Sequence, residues 1–305
     1  MADFNIHILG CGSAFPTTRH MATSQIVNLR DKLYMIDCGE GTQVQMRHMR
    51  IKFNRLNHIF ISHLHGDHCF GLPGLISTLG MLGRTGDLFI HAPKGIEDYL
   101  QPILNLFNKG LPFRIQLNQI DASRQALIME DRSMEVYSIP LNHRTPTCGF
   151  LFAEKQKEAH LIREMIDFYQ IPIKCLCQIK QGADYTAPNG EIIPNNRLTL
   201  PAEPAKRYAY CSDTAYFPTI IPIISNVDLL YHEATFAEAE KERAKETYHS
   251  TAAQAAEIAK RANVKKLVIG HFSARYEDDT ILKTEAIRVF PDTILAKEGL
   301  VLPVE

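Results

Sequence analysis

The chain has 305 residues, 45 % of them hydrophobic, and a formal net charge of −1 at pH 7. This length and composition suit one large core or two modest ones and exclude a disordered or fibrous chain, while the near-neutral charge restricts any polyanion binding to local patches. No stretch has the apolar length of a membrane span, and the N-terminus lacks the basic and apolar regions of a secretory signal, so a cytoplasmic protein without membrane contact is expected.

Strands and helices alternate along the first part of the chain. FNIHILG (4–10) predicts a strand that ends in a loop rich in Gly and Pro, and residues 24–41 predict a hairpin. A helix is predicted over 42–49. HIFIS (58–62) predicts a short buried strand, and an apolar stretch at 70–82 has helical character.

The second part continues the alternation after one interruption. Apolar patterns predict strands at 87–93, 134–141 and 148–154, a helix at 96–107, further strands within 207–216, 227–236 and 265–276, and helices at 238–246 and 251–262. Residues 154–206 break this rhythm, because they are rich in Pro, Asn and Gly and poor in long apolar runs. The pattern predicts an insertion that projects from the body of the protein, with a helix-like stretch at 159–169.

Two features of the sequence leave alternatives open. The segment 46–55 carries four basic residues without an acid, which is typical of a nucleic-acid contact and equally of a solvated helix face. The seven cysteines are scattered without Cys-x-x-Cys spacing and are interpreted as reduced thiols. Cys175 and Cys177 alternate in IKCLCQIK, which favours a short strand with one buried face over metal binding.

A dense group of metal-ligand types follows the predicted strand at 58–62. His63, His65 and His68 surround Asp67 in HLHGDH (63–68). Imidazole and carboxylate groups suit zinc and its first-row neighbours, and a strand end holds a loop rigidly while leaving its backbone free to turn. The stretch therefore predicts half of a metal site.

Three more donors repeat this placement at the ends of other predicted strands. His143 follows VYSIPLN, Asp213 follows RYAYCS, and His271 follows KKLVIG. A single histidine at such a position is more often structural, but three such donors beside HLHGDH favour ligands. Seven donors exceed the needs of one tetrahedral zinc and suit two metals that share a bridge.

With these donors in place, the sequence resembles the metallo-β-lactamase-fold hydrolases and, among them, ribonuclease Z, the tRNA 3′-processing endonuclease family. The resemblance runs nearly end to end through LGCGSAFPT, IDCGEGTQ, ISHLHGDHCFGLPGL, LNH at 141–143, SDT at 212–214, HEATF at 232–236, the stretch from His249 and GHFSARY at 270–276. It implies an α/β fold, an αβ/βα sandwich of two mixed sheets with outer helices. The implied organisation is a single domain, 1–305, with an inserted substrate-binding arm at 154–206.

The resemblance also implies how the donors divide between two metals. His63, His65 and His143 would hold one metal, Asp67, His68 and His271 the other, and Asp213 would bridge them. The pair would be two Zn²⁺ per chain, with Mn²⁺ accepted by the same ligands. Two metals about 3.5–4 Å apart activate a water and stabilise both oxygens of an in-line displacement at phosphorus. Asp67 is a candidate acceptor for the proton of that water.

Further residues are candidates for proton transfer and phosphate binding. Thr251 and Gln254 form a T-x-x-Q capping box, which places His249 just ahead of a helix N-terminus. We expect His249 to protonate the departing ribose 3′ oxygen, with Glu233 orienting its imidazole. The alternative makes His249 an exposed loop residue and Glu233 a structural group.

Three other side chains have expected roles outside the ligand set. Ser273 and Arg275 of HFSARY are candidate phosphate contacts, because the Arg fork matches phosphate oxygens. Asp37 is expected to organise loops rather than bind metal.

The sequence departs from the family pattern in two places. Pro16-Thr17-Thr18-Arg19-His20 replaces the family's P-T-K-x-R-N, a segment linked to discrimination against a mature CCA end. The arm lacks the family's Gly-Pro-rich stretch, so its lysines, Lys155, Lys157, Lys174 and Lys180, are either cations for tRNA or ordinary solvated residues.

The resemblance implies that the arm of one subunit clamps a tRNA precursor over the other subunit of a homodimer. The function expected is removal of the 3′ trailer from tRNA precursors, leaving a 3′-hydroxyl on the tRNA and a 5′-phosphate on the trailer, with no DNA substrate. The alternatives are a hydrolase of small phosphodiesters on the same site and a catalytically silent RNA-binding member of the superfamily.

Overall fold

The computed structural model describes residues 4–107 and 110–305. Its strands are β1 Phe4–Gly10, β2 Ser24–Leu29, β3 Lys32–Ile36, β4 Leu56–Phe60, β5 Leu88–Pro93, β6 Ile115–Ile120, β7 Leu127–Glu130, β8 Met134–Pro140, β9 Cys148–Glu154, β10 His160–Leu161, β11 Tyr185–Thr186, β12 Ile192–Ile193, β13 Thr199–Leu200, β14 Arg207–Cys211, β15 Leu229–Glu233, β16 Lys266–Gly270, β17 Thr293–Leu295 and β18 Val301–Pro303.

The helices are mostly short. They are α1 Thr42–His48, α2 Gly66–Cys69, α3 Leu72–Met81, α4 Ile96–Phe107, α5 Arg163–Phe168, α6 Ile173–Lys180, α7 Asn195–Leu198, α8 Lys241–Thr247, α9 Ala252–Arg261 and α10 Thr280–Val289. Within residues 4–107 and 110–305, no helix has both the length and the apolar character needed to cross a membrane.

The chain divides into two compact units. The larger unit comprises residues up to Glu130, Glu135–Phe152 and Lys206–Glu305. Its strands belong to two seven-stranded sheets, in the orders β18-β1-β2-β3-β4-β5-β6 and β17-β16-β15-β14-β9-β8-β7. Both sheets are mixed, since β3 to β6 and β14 to β17 run parallel while β1, β2 and β18 pair antiparallel, as do β7 and β8.

The inner faces of the two sheets pack on each other through aromatic side chains. Phe60 of β4 lies 5.5 Å from Phe150 and 5.4 Å from Phe152, between ring centroids. The Tyr208 hydroxyl of β14 donates a hydrogen bond to Gln25 of β2. Burial of such rings removes large apolar areas from water, so this layer supplies much of the stability of the unit.

Helices cover the outer faces of both sheets. On the first sheet, apolar side chains of α3 and α4 pack in one buried cluster with side chains of β1 to β5. On the second sheet, α9 packs against β15 and β16, and α10 lies beside α9 and β17. The predicted sandwich of two mixed sheets between outer helices is therefore confirmed.

The second unit comprises Asp131–Met134 and Ala153–Ala205. Two small antiparallel pairs, β10 with β13 and β11 with β12, accompany three short helices, α5, α6 and α7. Its own buried cluster consists of Ile171, Ile179, Tyr185, Ile193 and Leu198. The segment predicted as an insertion thus folds around a small core of its own.

One local prediction within this segment was wrong, and another was confirmed only in part. IKCLCQIK is helix α6 rather than a strand, because Cys175, Leu176 and Ile179 also match a helical face, and these three side chains pack in the small core. Pro172 at the N-cap suits a helix start as well. The helix-like stretch 159–169 is helical only over Arg163–Phe168, because it begins with strand β10.

Candidate metal centre

The predicted metal donors meet at one edge of the larger unit, where strands end. HLHGDH (63–68) follows β4, His143 follows β8, Asp213 follows β14, and His271 follows β16. β14 and β16 both run parallel to β15, which brings Asp213 and His271 to the same edge of the second sheet although they are distant in sequence. We call His63, His65, Asp67, His68, His143, Asp213 and His271 the metal centre.

One part of the metal centre is a group of three histidines. His63 Nε2 lies 2.9 Å from His65 Nδ1, and His143 Nε2 lies 3.4 Å from the same His65 atom. Oδ2 of Asp213 lies 3.5 Å from His63 Nε2 and 3.8 Å from His143 Nε2. Donors around a tetrahedral zinc at about 2.0–2.1 Å are separated by about 3.3 Å, so this group has the spacing of a zinc site.

The other part joins two histidines to Asp67. His68 Nε2 and His271 Nε2 lie 3.5 and 3.6 Å from Asp67 Oδ2. The same two nitrogens lie 3.2 and 3.0 Å from Oδ1 of Asp213. The two oxygens of Asp213 therefore face different groups, as a bridging carboxylate requires.

The Nδ1 atoms of four histidines are held by other polar groups. His63 contacts Ser62 Oγ at 3.1 Å, His68 contacts Asp37 Oδ2 at 2.8 Å, His271 contacts Thr235 Oγ1 at 3.0 Å, and His143 contacts the Tyr248 carbonyl at 3.0 Å. Metal-bound histidines characteristically bind such a partner through the second ring nitrogen, which fixes the ring and its tautomer. All four Nε2 atoms are thus directed to the centre.

These residues fit a pair of metal ions. In the described part of the chain, the buried Nε2 atoms of His68 and His271 have no hydrogen-bond partner. An unpartnered buried nitrogen costs about 1–3 kcal/mol, and a metal ion between the donors would remove that cost. Imidazole and carboxylate donors with these contacts are what zinc and manganese use.

Asp37 lies beneath the metal centre and is fully buried. Its carboxylate accepts hydrogen bonds from the Ser62 amide and hydroxyl at 2.8 and 2.9 Å, and from the Tyr210 hydroxyl at 2.8 Å. Together with the contact to His68, these bonds connect the ends of β3, β4 and β14. Asp37 therefore positions His68 and the loops around it, which agrees with the organising role expected from the sequence.

Three of these strand-end residues have left-handed backbone conformations. Asp37, Asp213 and His271 have φ angles of 54°, 60° and 61°. Residues with a Cβ atom rarely adopt this region, and it turns the chain sharply at the end of each strand. The backbones of Gly39 and Gly71 also approach each other closely in this region. A Cβ atom on Gly71 would lie 2.1 Å from the Gly39 carbonyl oxygen, so only glycine fits there.

His249 stands beside the metal centre and is tied to Glu233. Its Nδ1 lies 2.9 Å from Glu233 Oε1, and its ring centroid lies 5.2 Å from that of His143. Glu233 is fully buried and also accepts hydrogen bonds from the Thr214 amide at 2.7 Å and the Thr235 hydroxyl at 2.6 Å. A carboxylate with so many donors holds the imidazole of His249 in one orientation.

The surroundings of His249 favour its protonated form. Burial opposes the charge, but the Glu233 carboxylate outweighs this effect and raises the pKa of His249 to about 9. His249 precedes α9, whose start is a capping box between Thr251 and Gln254, so the predicted box is confirmed. A protonated imidazole beside a metal centre can donate a proton to a departing oxygen.

A cavity of about 430 Å³ opens over these groups. Its walls include His65, Asp67, His143, Asp213, His249 and His271. Among the described residues that line this cavity, Ser273 and Arg275 are absent. Arg275 instead donates to Ser273 Oγ at 3.2 Å and to Glu240 at 2.8 Å, so the structure brings Ser273 and Arg275 together.

The likeness to known proteins agrees with this geometry. The family profile described as Anti-Pycsar protein Apyc1 matches residues 4–97, and the Beta-lactamase superfamily domain profile matches residues 192–272. A Ribonuclease Z of Parabacteroides distasonis is 72 % identical over 304 residues, covering 100 % of both chains. The chain belongs to the ribonuclease Z family.

Solved structures support the same assignment for the fold. The human tRNase Z short form matches this ribonuclease Z family member with a TM-score of 0.73 and 25 % identity, covering 99 % of each chain. A metallo-β-lactamase fold protein of Bacillus subtilis matches with a TM-score of 0.68 and 17 % identity over 98 % of each chain. The expected metallo-β-lactamase fold is confirmed.

The sequence did not indicate several residues that shape the site of this ribonuclease Z family member. Ser62 and Thr235 lie within quoted motifs, so their hydroxyl groups could have been considered as partners of histidines. The Tyr248 carbonyl carries no sequence signal, because any residue supplies a carbonyl. The Ala14 amide, which donates to Asp67 Oδ2 at 2.8 Å, is likewise invisible in the sequence.

His20 also carried no functional signal in the sequence, although it stands where the chain departs from the ribonuclease Z pattern. Its Nε2 lies 2.7 Å from Asp279 Oδ2, and its Nδ1 lies 3.2 Å from Glu298 Oε2. The hydrogen bonds that His20 donates to the carboxylates of Asp279 and Glu298 outweigh burial and raise the pKa of His20 to about 9. A charged His20 therefore links the loop after β1 to the segments that follow β16 and β17.

Proposed function

We propose that the protein removes the 3′ trailer from tRNA precursors by metal-assisted hydrolysis at the metal centre. Its family makes it an endoribonuclease that acts in tRNA 3′ processing. The observation that carries the residue assignment is the shared carboxylate: each oxygen of Asp213 faces a different group of donors, directly beside His249 and Glu233.

The proposal assigns two Zn²⁺ ions, with Mn²⁺ as the alternative, to this centre. His63, His65 and His143 would hold one ion, Asp67, His68 and His271 the other, and Asp213 both. Bound metals at such a site supply an activated water and stabilise charge on the phosphoryl oxygens. The tight hydrogen bonding behind the ligands supports this assignment, because it fixes the rings before any ion enters.

The chain's own groups would manage the protons. Asp67, whose Oδ2 accepts a hydrogen bond from the Ala14 amide, would accept the proton of the attacking water. His249 would donate its proton to the ribose 3′ oxygen as the bond to phosphorus breaks, since an alkoxide is a poor leaving group. Glu233 orients His249 and keeps it charged, which supports a catalytic pair rather than an exposed loop histidine.

Ser273 and Arg275 are proposed to bind substrate phosphate outside the metal centre. The guanidinium of Arg275 lies 5.1 Å from the centroid of the Phe236 ring, which holds it in place. Its ion pair with Glu240 would have to exchange for a phosphate, and bidentate Arg–phosphate geometry favours that exchange.

The proposal also gives residues 154–206 the role of a substrate-binding arm within a single domain, 1–305. By family resemblance, the arm of one subunit of a homodimer would clamp the tRNA body over the partner's site. Two of its lysines have acidic neighbours, since Lys157 lies 3.4 Å from Glu154 and Lys180 lies 4.0 Å from Glu158. The alternative is that these lysines are ordinary solvated residues that do not bind tRNA.

Product mapping tests the proposed function. The purified protein is loaded with zinc or manganese and incubated with a tRNA precursor bearing a 3′ trailer, and both new ends are sequenced. We expect a 3′-hydroxyl on the tRNA and a 5′-phosphate on the trailer. Cleavage of a small chromogenic phosphodiester without cleavage of the precursor would indicate a small-substrate hydrolase, and binding of precursor without either reaction would indicate a silent RNA-binding protein.

A further inference from the structure

A second cavity adjoins the metal centre on the side of α8. It has a volume of about 410 Å³, and its walls come from the loops after β8 and β14, from α8 and from the start of α9. Its lining includes Asn142, Tyr216, Lys241, Lys245 and His249. We call it the α8 cavity.

His249 connects the α8 cavity to the cavity over the metal centre, because it lines both. Its Nδ1 is bound to Glu233, so Nε2 is the atom left to face a substrate. Any group that receives a proton from His249 must therefore lie where the two cavities meet.

The charges of the α8 cavity are arranged for an anion. Lys241 and Lys245 are four residues apart on α8, which places them on one face of the helix. Lys241 is paired with Glu238 at 2.7 Å, whereas Lys245 has no ion pair with any acid among residues 4–107 and 110–305. Glu242 also lines the cavity, so one acid stands beside the two lysines, and Lys245 is the lysine left to pair with an anion.

The lining of the α8 cavity also carries an aromatic ring in a fixed position. The Tyr216 hydroxyl donates to Glu257 at 2.6 Å and accepts from Arg261 at 2.9 Å. Aromatic rings held in this way are the surfaces on which unpaired bases stack, and a lysine beside them binds the backbone. A volume of about 410 Å³ accommodates one nucleotide.

We propose that the α8 cavity binds the nucleotide on the 5′ side of the cleaved bond, the one that keeps the new 3′-hydroxyl. The inference depends on the proposed function, since it requires His249 to protonate the ribose oxygen that departs. That oxygen belongs to this nucleotide and must lie beside His249. Its base then packs near Tyr216, and Lys245 pairs with the phosphate that joins it to the preceding nucleotide.

The test removes one charge at a time from protein and RNA. Lys245→Gln and wild type are compared on a precursor and on the same precursor with a neutral methylphosphonate at that one phosphate. All substrates carry a 2′-O-methyl group on the preceding nucleotide, so that the modified linkage cannot cleave itself. Lys260→Gln, which changes an exposed lysine in the last turn of α9, is the matched control variant.

We expect each single change to lower kcat/KM about tenfold, as for the loss of one charge-assisted contact. The two changes together should lower it no further than either one alone. A methylphosphonate two linkages into the trailer should instead lower kcat/KM by the same factor in wild type and in Lys245→Gln. Likewise, the effect of Lys260→Gln on kcat/KM should multiply with that of every substrate change.

Two outcomes separate the failure of this assignment from failure of the proposed function. Normal trailer removal by the wild type, with effects of Lys245→Gln and the upstream methylphosphonate that simply add, would overturn the cavity assignment alone. Absence of trailer removal by the metal-loaded wild type would overturn the proposed function and the cavity assignment with it.

Discussion

The metal centre and the second unit hold their charged side chains in opposite ways. At the metal centre, His63, His68 and Asp213 are almost completely buried, and their polar atoms face other polar atoms within about 4 Å. In the second unit, the charged side chains lie mostly at the surface around five buried residues. Large apolar side chains are exposed there too, such as Phe168 at 75 % and Ile173 at 87 %.

This difference predicts two kinds of sensitivity. A buried polar cluster depends on each member, because loss of one partner leaves the others unpaired in a medium of low dielectric constant. An exposed set of charges acts through its sum, because each lysine contributes a small, salt-screened attraction. Single substitutions should therefore be decisive in the first region and mild in the second.

The largest effect is expected from Asp213→Ala. Removal of the shared carboxylate should reduce the metal content from two ions per chain and lower cleavage to the level of metal-free protein, with the fold retained. Elemental analysis, circular dichroism and precursor cleavage measure the three quantities, and His65→Ala should behave alike. Asp292→Ala, at an exposed aspartate, is the control. Full activity with one metal or none would contradict a two-metal reaction.

The next effect, about 10²–10⁴-fold in rate, is expected from His249→Ala on tRNA precursor. A p-nitrophenyl phosphodiester should lose far less, because its leaving group departs without a proton. Comparison of kcat for the two substrates checks this difference, with His48→Ala as a control at an exposed histidine. Equal losses on both substrates would show that His249 does not act as the acid.

Replacement of residues 154–206 by a short Gly/Ser linker should weaken precursor binding by about 100-fold and leave hydrolysis of the chromogenic phosphodiester in place. A milder variant changes Lys155, Lys157, Lys174 and Lys180 to Gln, and its affinity for the tRNA precursor should depend less on salt concentration. Each single Lys→Gln change should lower this affinity only slightly. Unchanged tRNA affinity after arm replacement would refute the arm, and one dominant lysine would contradict binding through the summed charge.

The smallest effect concerns His20, whose partly buried imidazole is paired with Asp279 and Glu298 in the larger unit. Its pKa in the folded protein is about 9, above the ordinary 6.5, so its stabilising contribution is complete below pH 6.5 and lost as pH rises through 9. Urea unfolding at pH 6 and pH 9.5 should show a smaller loss of stability for His20→Asn than for wild type, whereas identical losses would exclude this role.

The same contrast explains what the sequence could and could not predict. Each donor of the metal centre directly follows an apolar run, and parallel strands bring their ends together, so HLHGDH, Asp213 and His271 are recognisable from the residue pattern alone. The partner of His143 is not recognisable in this way, because it is the carbonyl of Tyr248. The position of Lys245 on a cavity wall also depends on packing between α8 and two distant loops.

The second unit was harder to interpret for a related reason. Its elements are short, and a run such as IKCLCQIK satisfies both a strand and a helix pattern when only Cys175, Leu176 and Ile179 need to be covered. Long apolar runs in the larger unit leave no such ambiguity. The local hydrophobic pattern therefore predicts secondary structure best where strands and helices are deeply buried. It predicts least where packing in a small core decides between a strand and a helix.

The left-handed conformations of Asp37, Asp213 and His271 limit how the protein can be made more heat-resistant. Each costs about 1 kcal/mol of folding free energy, and glycine would relieve that strain. A search for stabilising glycine substitutions by backbone geometry alone would include these three positions among its candidates. In the proposed mechanism Asp213 and His271 hold metal and Asp37 positions His68, so a thermostable variant is expected to gain its stability at other residues.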